Sequence, residues 1–198
     1  MTFDETLIFW KKYKGQTGRL EIRELYDAIM ATPDGDVVEV GSATGGTTIV
    51  LIGASERIGK TVYSIDPYPE SFEGNANDYT PGLMKLYKDT FQKNILSGQW
   101  KNIIQYNETV TECIDKIPDK LSVVFIDGCH EYFHVLTELE LLFPRLVKDG
   151  MLFIHDTNWN IGQVSKVKGS GVSQITQKFY EMFSNVKKVD SMLCGKKI

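Results

Sequence analysis

The sequence predicts an α/β fold with a doubly wound, mostly parallel sheet of seven strands that ends in an antiparallel hairpin. Three observations lead to it. Short runs rich in β-branched and aromatic residues alternate with longer stretches of helical period. Most of those runs are continuously apolar, as strands covered on both faces must be. The last two runs are joined by only a tight connection, too short for a crossover. Strand-helix alternation of this kind builds a parallel sheet with right-handed crossovers.

The elements follow in chain order. The segments around Leu7–Tyr13 and Leu20–Met30 read as helices within an N-terminal helical section, residues 1–31. Strands are expected at Asp36–Val40, Thr61–Asp66, Asn102–Tyr106, Ser122–Asp127 and Met151–His155. Between them, Met84, Tyr87, Phe91 and Ile95 recur at helical spacing, as do Tyr132, Val135, Leu139, Leu142, Phe143 and Leu146. A last helix is expected from about Val172 to Phe183, followed by hairpin runs Val186–Met192 and Leu193–Ile198. Two long connections, Pro67–Gly82 and Thr157–Gly171, are long enough to act as lids.

Composition excludes several classes. At 198 residues and about 150 residues per domain, the chain is expected to be one domain spanning 1–198. Its 24% charged and 11% aromatic residues belong to a globular protein. The longest apolar runs are four residues, such as Val123–Ile126, against about 20 for a membrane span. The start, Met1-Thr2-Phe3-Asp4-Glu5, has no basic region ahead of an apolar one, so a cytoplasmic location is expected. Cys113, Cys129 and Cys194 are odd in number and far apart, which supports neither a disulfide framework nor a CxxC site.

The net charge of −4 is uneven. From Gln163 to Ile198, Lys166, Lys168, Lys178, Lys187, Lys188, Lys196 and Lys197 stand against only Glu181 and Asp190. Such a region could attract an anionic substrate, although solvated helix faces and a lysine-protected edge strand account for it more simply. An acidic chain without a dense basic stripe is a poor nucleic-acid binder.

The first strand runs into Glu39-Val40-Gly41-Ser42-Ala43-Thr44-Gly45-Gly46-Thr47. Glycines at a strand-to-helix turn let the backbone approach a ligand, and the helix start offers amides to polar or anionic groups. The spacing is Gly-x-x-x-Gly and lacks the Gly-x-Gly-x-x-Gly of dinucleotide binders. Asp66 ends the second strand, where a carboxylate can accept both hydroxyls of a ribose. Gly53 to Thr61 imitates a phosphate loop, but its glycines are spaced one residue too far apart and it precedes a strand; Gly59 reads as a helix C-cap.

The most specific stretch is Asp127-Gly128-Cys129-His130-Glu131-Tyr132, with His155-Asp156-Thr157 after the fifth strand. Asp127, His155 and Asp156 fall at carboxyl ends of strands, where open α/β sheets bind ligands. Hard oxygen donors with a His suit a divalent cation, Mg²⁺ first, with a transition metal also admitted. His134, one turn beyond His130, is a weaker candidate base. Cys129 as a nucleophile lacks an orienting acid.

These motifs resemble the class I S-adenosylmethionine-dependent methyltransferases, and Asp-Gly-x-His-x-Tyr with His-Asp-Thr is similar to the macrocin O-methyltransferase and cephalosporin-hydroxylase-like group, methyltransferase family 24. The resemblance covers most of the chain, from Asp36 to Thr157 and more weakly beyond. It implies a Rossmann-like sheet, a cofactor half at 36–109 and a metal and substrate half at 122–198. It places Glu39, Gly41, Ser42, Gly45, Thr47, Asp66, Pro67, Tyr68, Glu108, Thr109 and Asp127 at S-adenosylmethionine. Asp127, His155 and Asp156 stand where metal-dependent members hold a cation such as Mg²⁺, although the best-understood of them carry an acid where this chain has His155. His130 matches a general base.

The implied reaction is O-methylation of a small hydroxylated molecule, a sugar or natural product, with His130 and Asp127 as catalytic residues. Asn158 and Trp159 are candidates to reach that substrate. Acceptor choice then falls to the N-terminal helices, the two long loops or a partner copy in a homo-oligomer. A nicotinamide-dependent oxidoreductase and a non-catalytic S-adenosylmethionine-binding protein are the alternatives.

Overall fold

The computed structural model describes residues 1–69, 81–96, 98, 100–157 and 174–198. Helices α1 (Phe3–Lys12) and α2 (Arg19–Ala31) lead into strand β1 (Asp36–Val40) and helix α3 (Thr48–Ile58). Strand β2 (Val62–Ile65), helix α4 (Pro81–Phe91) with a π-helical turn at Gln92–Leu96, strand β3 (Ile103–Tyr106) and the short helix α5 (Val110–Cys113) come next. Strand β4 (Leu121–Ile126), helix α6 (Tyr132–Leu142), strand β5 (Leu146–Ile154), helix α7 (Ile175–Met182) and strands β6 (Phe183–Val189) and β7 (Met192–Lys197) complete the order.

The seven strands form one sheet, β3-β2-β1-β4-β5-β7-β6, parallel except where β7 meets β5 and β6. Alternation along the central strands sorts their side chains. Val37, Val123 and Phe125 pack with α1, α2 and α3 through Leu7, Ile22, Leu25, Ile49 and Ile52. Val38, Val40, Val124 and Ile126 pack on the other face with Val110, Val135, Leu139 and Phe179 of α5, α6 and α7. Both faces are covered, which is why these strands read as unbroken apolar runs.

Three boundaries differ from the sequence expectation. The stripe ending at Leu146 stops being α-helix at Leu142, because Pro144 starts a 3₁₀ turn, Phe143–Arg145, and cannot continue the helical ladder. Leu146 instead pairs with Leu121, so β5 starts five residues earlier than Met151 and passes through Asp149 at φ 63°. The hairpin turns at Asp190-Ser191, one to two residues before the expected junction; Asp190 takes the left-handed conformation that Asp tolerates, φ 51°. The Gly59 cap is as read, at φ 72° with its N–H on Ser55 O. Most of both long connections, the start of the last helix, Asn158, Trp159, Lys166 and Lys168 lie outside the described residues. No helix among the described residues is long and apolar enough to cross a membrane.

At the amino ends of the strands, Lys60 is buried with 6% of its surface exposed. Its ammonium donates to the carbonyls of Ile29, Thr32 and Pro33 and to the hydroxyls of Thr32 and Ser122. It thereby ties the end of α2 to β4, although burial pushes its pKa down. Replacing it removes the donor that these groups share. Lys60→Met is expected to cost about 2–4 kcal/mol in urea unfolding.

Candidate active site

Strand register assembles the site. Val40 lies beside Ile65 and Ile126, and Ile126 beside Ile154, so the residues after β1, β2, β4 and β5 emerge in one row. The ladder continues one step further: Gly41 N–H donates to Ile65 O, Asp127 N–H to Val40 O and His155 N–H to Ile126 O. Gly41 has φ 87°, and a Cβ there would fall 2.2 Å from the Asp127 carbonyl oxygen. Only glycine lets the β1 and β4 turns approach this closely. Gly45 has φ 86°, and a Cβ there would strike Ile95 at 2.5 Å.

On the β1–β2 side, Asp66 Oδ2 accepts the Ser42 and Ala43 amides at 3.0 and 2.9 Å, and its Oδ1 accepts the Tyr68 amide at 3.0 Å. Burial pushes the Asp66 carboxyl up, and the three amides oppose that shift. Tyr68, after Pro67, has φ 43° and folds back so that its hydroxyl donates to Ala43 O. Glu39 is fully buried beneath the turn. Its Oε2 accepts from Thr48 and Ser64, its Oε1 has no partner, and burial pushes it up to about 8. The Ser42 hydroxyl pairs with that of Ser64, and Thr47 with Thr17. Two expected cofactor residues are engaged locally. Thr109 caps α5 in a capping box with Glu112, and Glu108 pairs with Lys116 at 2.6 Å.

On the β4–β5 side, Asp127, His130 and Asp156 place one ligand atom each within 4.8 Å of one another. His130 Nε2 lies 3.3 Å from Asp156 Oδ2. Asp156 adopts φ 55°, and its two carboxylate oxygens face His130 and His155. His155 is placed differently from the expected ligand role: both its ring nitrogens are engaged by carboxylates. Nε2 sits 3.0 Å from Glu21 Oε2, and Nδ1 sits 2.9 Å from Asp127 Oδ1 and 3.4 Å from Asp156 Oδ1. The Asp127 contact lies off the N–H axis, making it an ion pair rather than an aligned hydrogen bond. The third member of the ligand-spaced group is therefore His130.

A family profile described as a methyltransferase domain, that of methyltransferase family 24, matches residues 38–157. The chain belongs to this methyltransferase family. The match spans the Glu39 turn through the His155-Asp156-Thr157 stretch, as the sequence motifs imply. The chain is 27% identical over 121 residues to an uncharacterized protein of Acanthamoeba polyphaga mimivirus, covering 60% of this chain and 50% of that protein. It thus spans about half the length of that curated relative.

Solved structures share the methyltransferase's fold. A Corynebacterium glutamicum protein superposes with TM-score 0.67 at 11% identity, over 96% of this chain and 89% of that one. The SAH-bound methyltransferase PaMTH1 of Podospora anserina gives 0.64 at 9% identity, over 98% and 87%. MycE of the mycinamycin biosynthetic pathway, in complex with Mg and SAH, gives 0.62 at 12% identity, over 96% of this chain and 52% of its own.

Two side chains of the methyltransferase site escape the motif reading. Glu21, on α2, is 2% exposed; besides His155 it accepts from the Ser191 amide and hydroxyl on the β6–β7 turn, at 2.9 and 2.8 Å. An acid within the apolar stripe of Ile22, Leu25 and Ile29 is the signal that could have found it. Glu138, on α6, has a buried Oε2 without a partner, and burial pushes it up to about 8. His134 is largely exposed, 3.9 Å from Glu131. Burial raises the Cys129 thiol to about 11, which argues against a resting thiolate. Among the described C-terminal lysines, Lys178, Lys187 and Lys196 pair with Glu140, Glu24 and Asp149, and Lys197 donates to the Phe143 and Leu146 carbonyls. These four serve the fold.

Burial opposes charge on both partners of the Glu21–His155 pair, yet the pairing wins. The carboxylates of Asp127, Asp156 and Glu21 around the ring hold His155 up at about 12, and the groups that donate to Glu21, from His155, Ser191 and Gly18, hold it down at about 2. A depressed acid stabilises the fold above its unfolded pKa of 4.5 and loses that contribution as pH falls toward 2. A raised imidazole contributes fully below 6.5 and fades as pH climbs toward 12. Glu21→Gln is therefore expected to cost about 2–4 kcal/mol at pH 6, and the gap to wild type should narrow in denaturant titrations taken from pH 4.5 toward 2.

Proposed function

We propose that the chain is an O-methyltransferase that transfers the methyl of S-adenosylmethionine to a hydroxyl of a small molecule. The observation that carries this reading is the pairing of His130 with Asp156 beside Asp127, at the same end of the sheet as the Gly41 turn and Asp66. Nitrogen nucleophiles need little help, whereas a hydroxyl is a poor nucleophile until its proton is removed. An imidazole oriented by a carboxylate meets that need.

The residues present fit the cofactor. A carboxylate has about four acceptor positions, and Asp66 gives three to backbone amides, so Oδ1 retains capacity for a ribose hydroxyl. Glu39, Gly41, Ser42, Gly45 and Thr47 shape the turn beside it, with Pro67 and Tyr68 at its edge. Glu108 and Thr109 follow β3 at the same end of the sheet. The bound cofactor supplies a methyl group on a positively charged sulfur. The acceptor oxygen forms its bond to the methyl carbon as the carbon–sulfur bond breaks, and the His130 imidazole takes the hydroxyl proton. Asp156, facing Nε2, orients the ring and stabilises the imidazolium that forms, and the close packing of the two turns holds the reactants in line.

A divalent cation also fits the donor set. Asp127 and Asp156 would hold it, His155 would neutralise and orient both acids from behind, and the cation would lower the pKa of a hydroxyl bound to it. Mg²⁺ in the MycE complex supports this part of the reading. As a ligand His130 could not accept a proton, so the proposal assigns it the base role. The acceptor class, a sugar or natural product, rests on the family resemblance.

Calorimetry of S-adenosylmethionine binding, with and without Mg²⁺, tests the reading. Binding is expected in both cases, and none in either would overturn it. Asp66→Ala is expected to weaken binding at least about tenfold. His130→Ala should bind the cofactor normally yet transfer labelled methyl to a panel of hydroxylated acceptors about a hundredfold more slowly or worse. Unchanged transfer would remove His130 from the mechanism.

A further inference from the structure

We infer that the outer face of the turn after β4 forms a second metal site, for a transition-metal ion such as Zn²⁺ or Co²⁺, from Cys129, Glu131 and His134. The turn divides its side chains between two groups. Asp127 and His130 join Asp156 in the crevice, while the ligand atoms of Cys129, Glu131 and His134 all lie within 4.8 Å of one another. The two groups share no residue, so one can be filled without emptying the other.

The local backbone explains why the outer three converge. Glu131 is the N-cap of α6, with φ −78° and ψ 135°, and His134 stands three residues on in the first turn, so both project from one side of the helix start. Glu131 Oε2 lies 3.9 Å from His134 Nε2. Cys129, partly buried two residues before the cap, supplies the fixed corner. A tetrahedral ion with bonds of about 2.0–2.3 Å sets its ligand atoms roughly 3.3–3.8 Å apart. The Glu131–His134 pair already stands close to that spacing at 3.9 Å, and the contraction left for the group is at most about 1.5 Å. His134 and Glu131 can do this by rotating, since their side chains are 62% and 49% exposed.

Ligand chemistry selects the metal. Sulfur with imidazole and one carboxylate favours a borderline or soft ion over Mg²⁺, whereas Asp127 and Asp156 favour a hard one. Three protein ligands leave a fourth position for water. Binding releases the thiol proton to solvent and forms the metal–sulfur bond without redox change. The ion would also clamp the turn that carries His130 to the first turn of α6.

The test titrates the full chain with Co²⁺ in excess Mg²⁺ and reads thiolate-to-cobalt charge-transfer absorption. Cys113 and Cys194 are fully buried, with their thiols on Val110 O and Lys187 O, so a band from the folded protein reports Cys129. One equivalent of Co²⁺ is expected to produce the band. Cys129→Ser should abolish it, and His134→Ala should weaken binding roughly tenfold or more, with circular dichroism confirming that both variants fold. Absence of the band in wild type, its persistence in Cys129→Ser, or unchanged affinity in His134→Ala would each overturn the proposal. None of these outcomes bears on S-adenosylmethionine binding, which tests the methyltransferase reading separately.

Discussion

A protonated imidazole survives inside a protein only where carboxylates compensate the loss of water, and His155, 8% exposed, is surrounded by three. The site's geometry depends on that arrangement. Glu21 reaches His155 from α2, Asp127 from the end of β4, and Asp156 from the adjoining residue. Ser191 adds the β6–β7 turn through Glu21, and Thr157 joins the same turn by two bonds to Ser191 O, from its amide at 2.9 Å and its hydroxyl at 2.7 Å. Elements far apart in sequence thus meet at one ring. The two acids that face His130 keep their positions because their other contacts are held by a cation that cannot leave.

The second constraint is steric. Gly41 brings the β1 turn against the Asp127 carbonyl, and the in-register ladder carries Asp66, Asp127 and His155 out at the same level. A site divided between two halves of a sheet needs this, because no single loop presents both Asp66 and His130. The close approach of the two turns comes from the backbone, whereas the acid side chains are placed by His155.

Much of this was legible in the sequence, for identifiable reasons. Unbroken apolar runs such as Val123–Ile126 mark strands buried on both faces, and the strand-end position of Asp66 and Asp127 then follows from parallel topology. The partner of His155 was not legible. Glu21 is separated from it by more than a hundred residues, and pairing at that range is set by how α2 docks, which no local pattern encodes. The start of β5 was misread because Leu146 continues a helical stripe, while Pro144 makes the helix end before it. His155 itself read as a metal ligand because residue type at a strand end does not reveal what stands behind it. Here Glu21 stands there, so carboxylates face both ring nitrogens.

Charge placement connects the clamp to the proposed chemistry. Glu21 and Asp156 are held below their ordinary values beside one imidazolium, while burial pushes Asp127 up, so this end of the sheet favours an additional positive charge. Burial keeps Glu39 and Glu138 near pKa 8, and at neutral pH they add little to that field. In the proposed reaction the positive charge on sulfur is consumed, which would cost the field its partner if the charge simply disappeared. It does not disappear: the hydroxyl proton passes to His130, 3.3 Å from Asp156, and an imidazolium replaces the sulfonium within the same group of acids. Interactions that hold the charged cofactor are therefore partly retained as the reaction proceeds, and binding is not purchased wholly at the expense of rate. The same acids then favour release of a neutral thioether over a cationic donor, because the thioether no longer balances them.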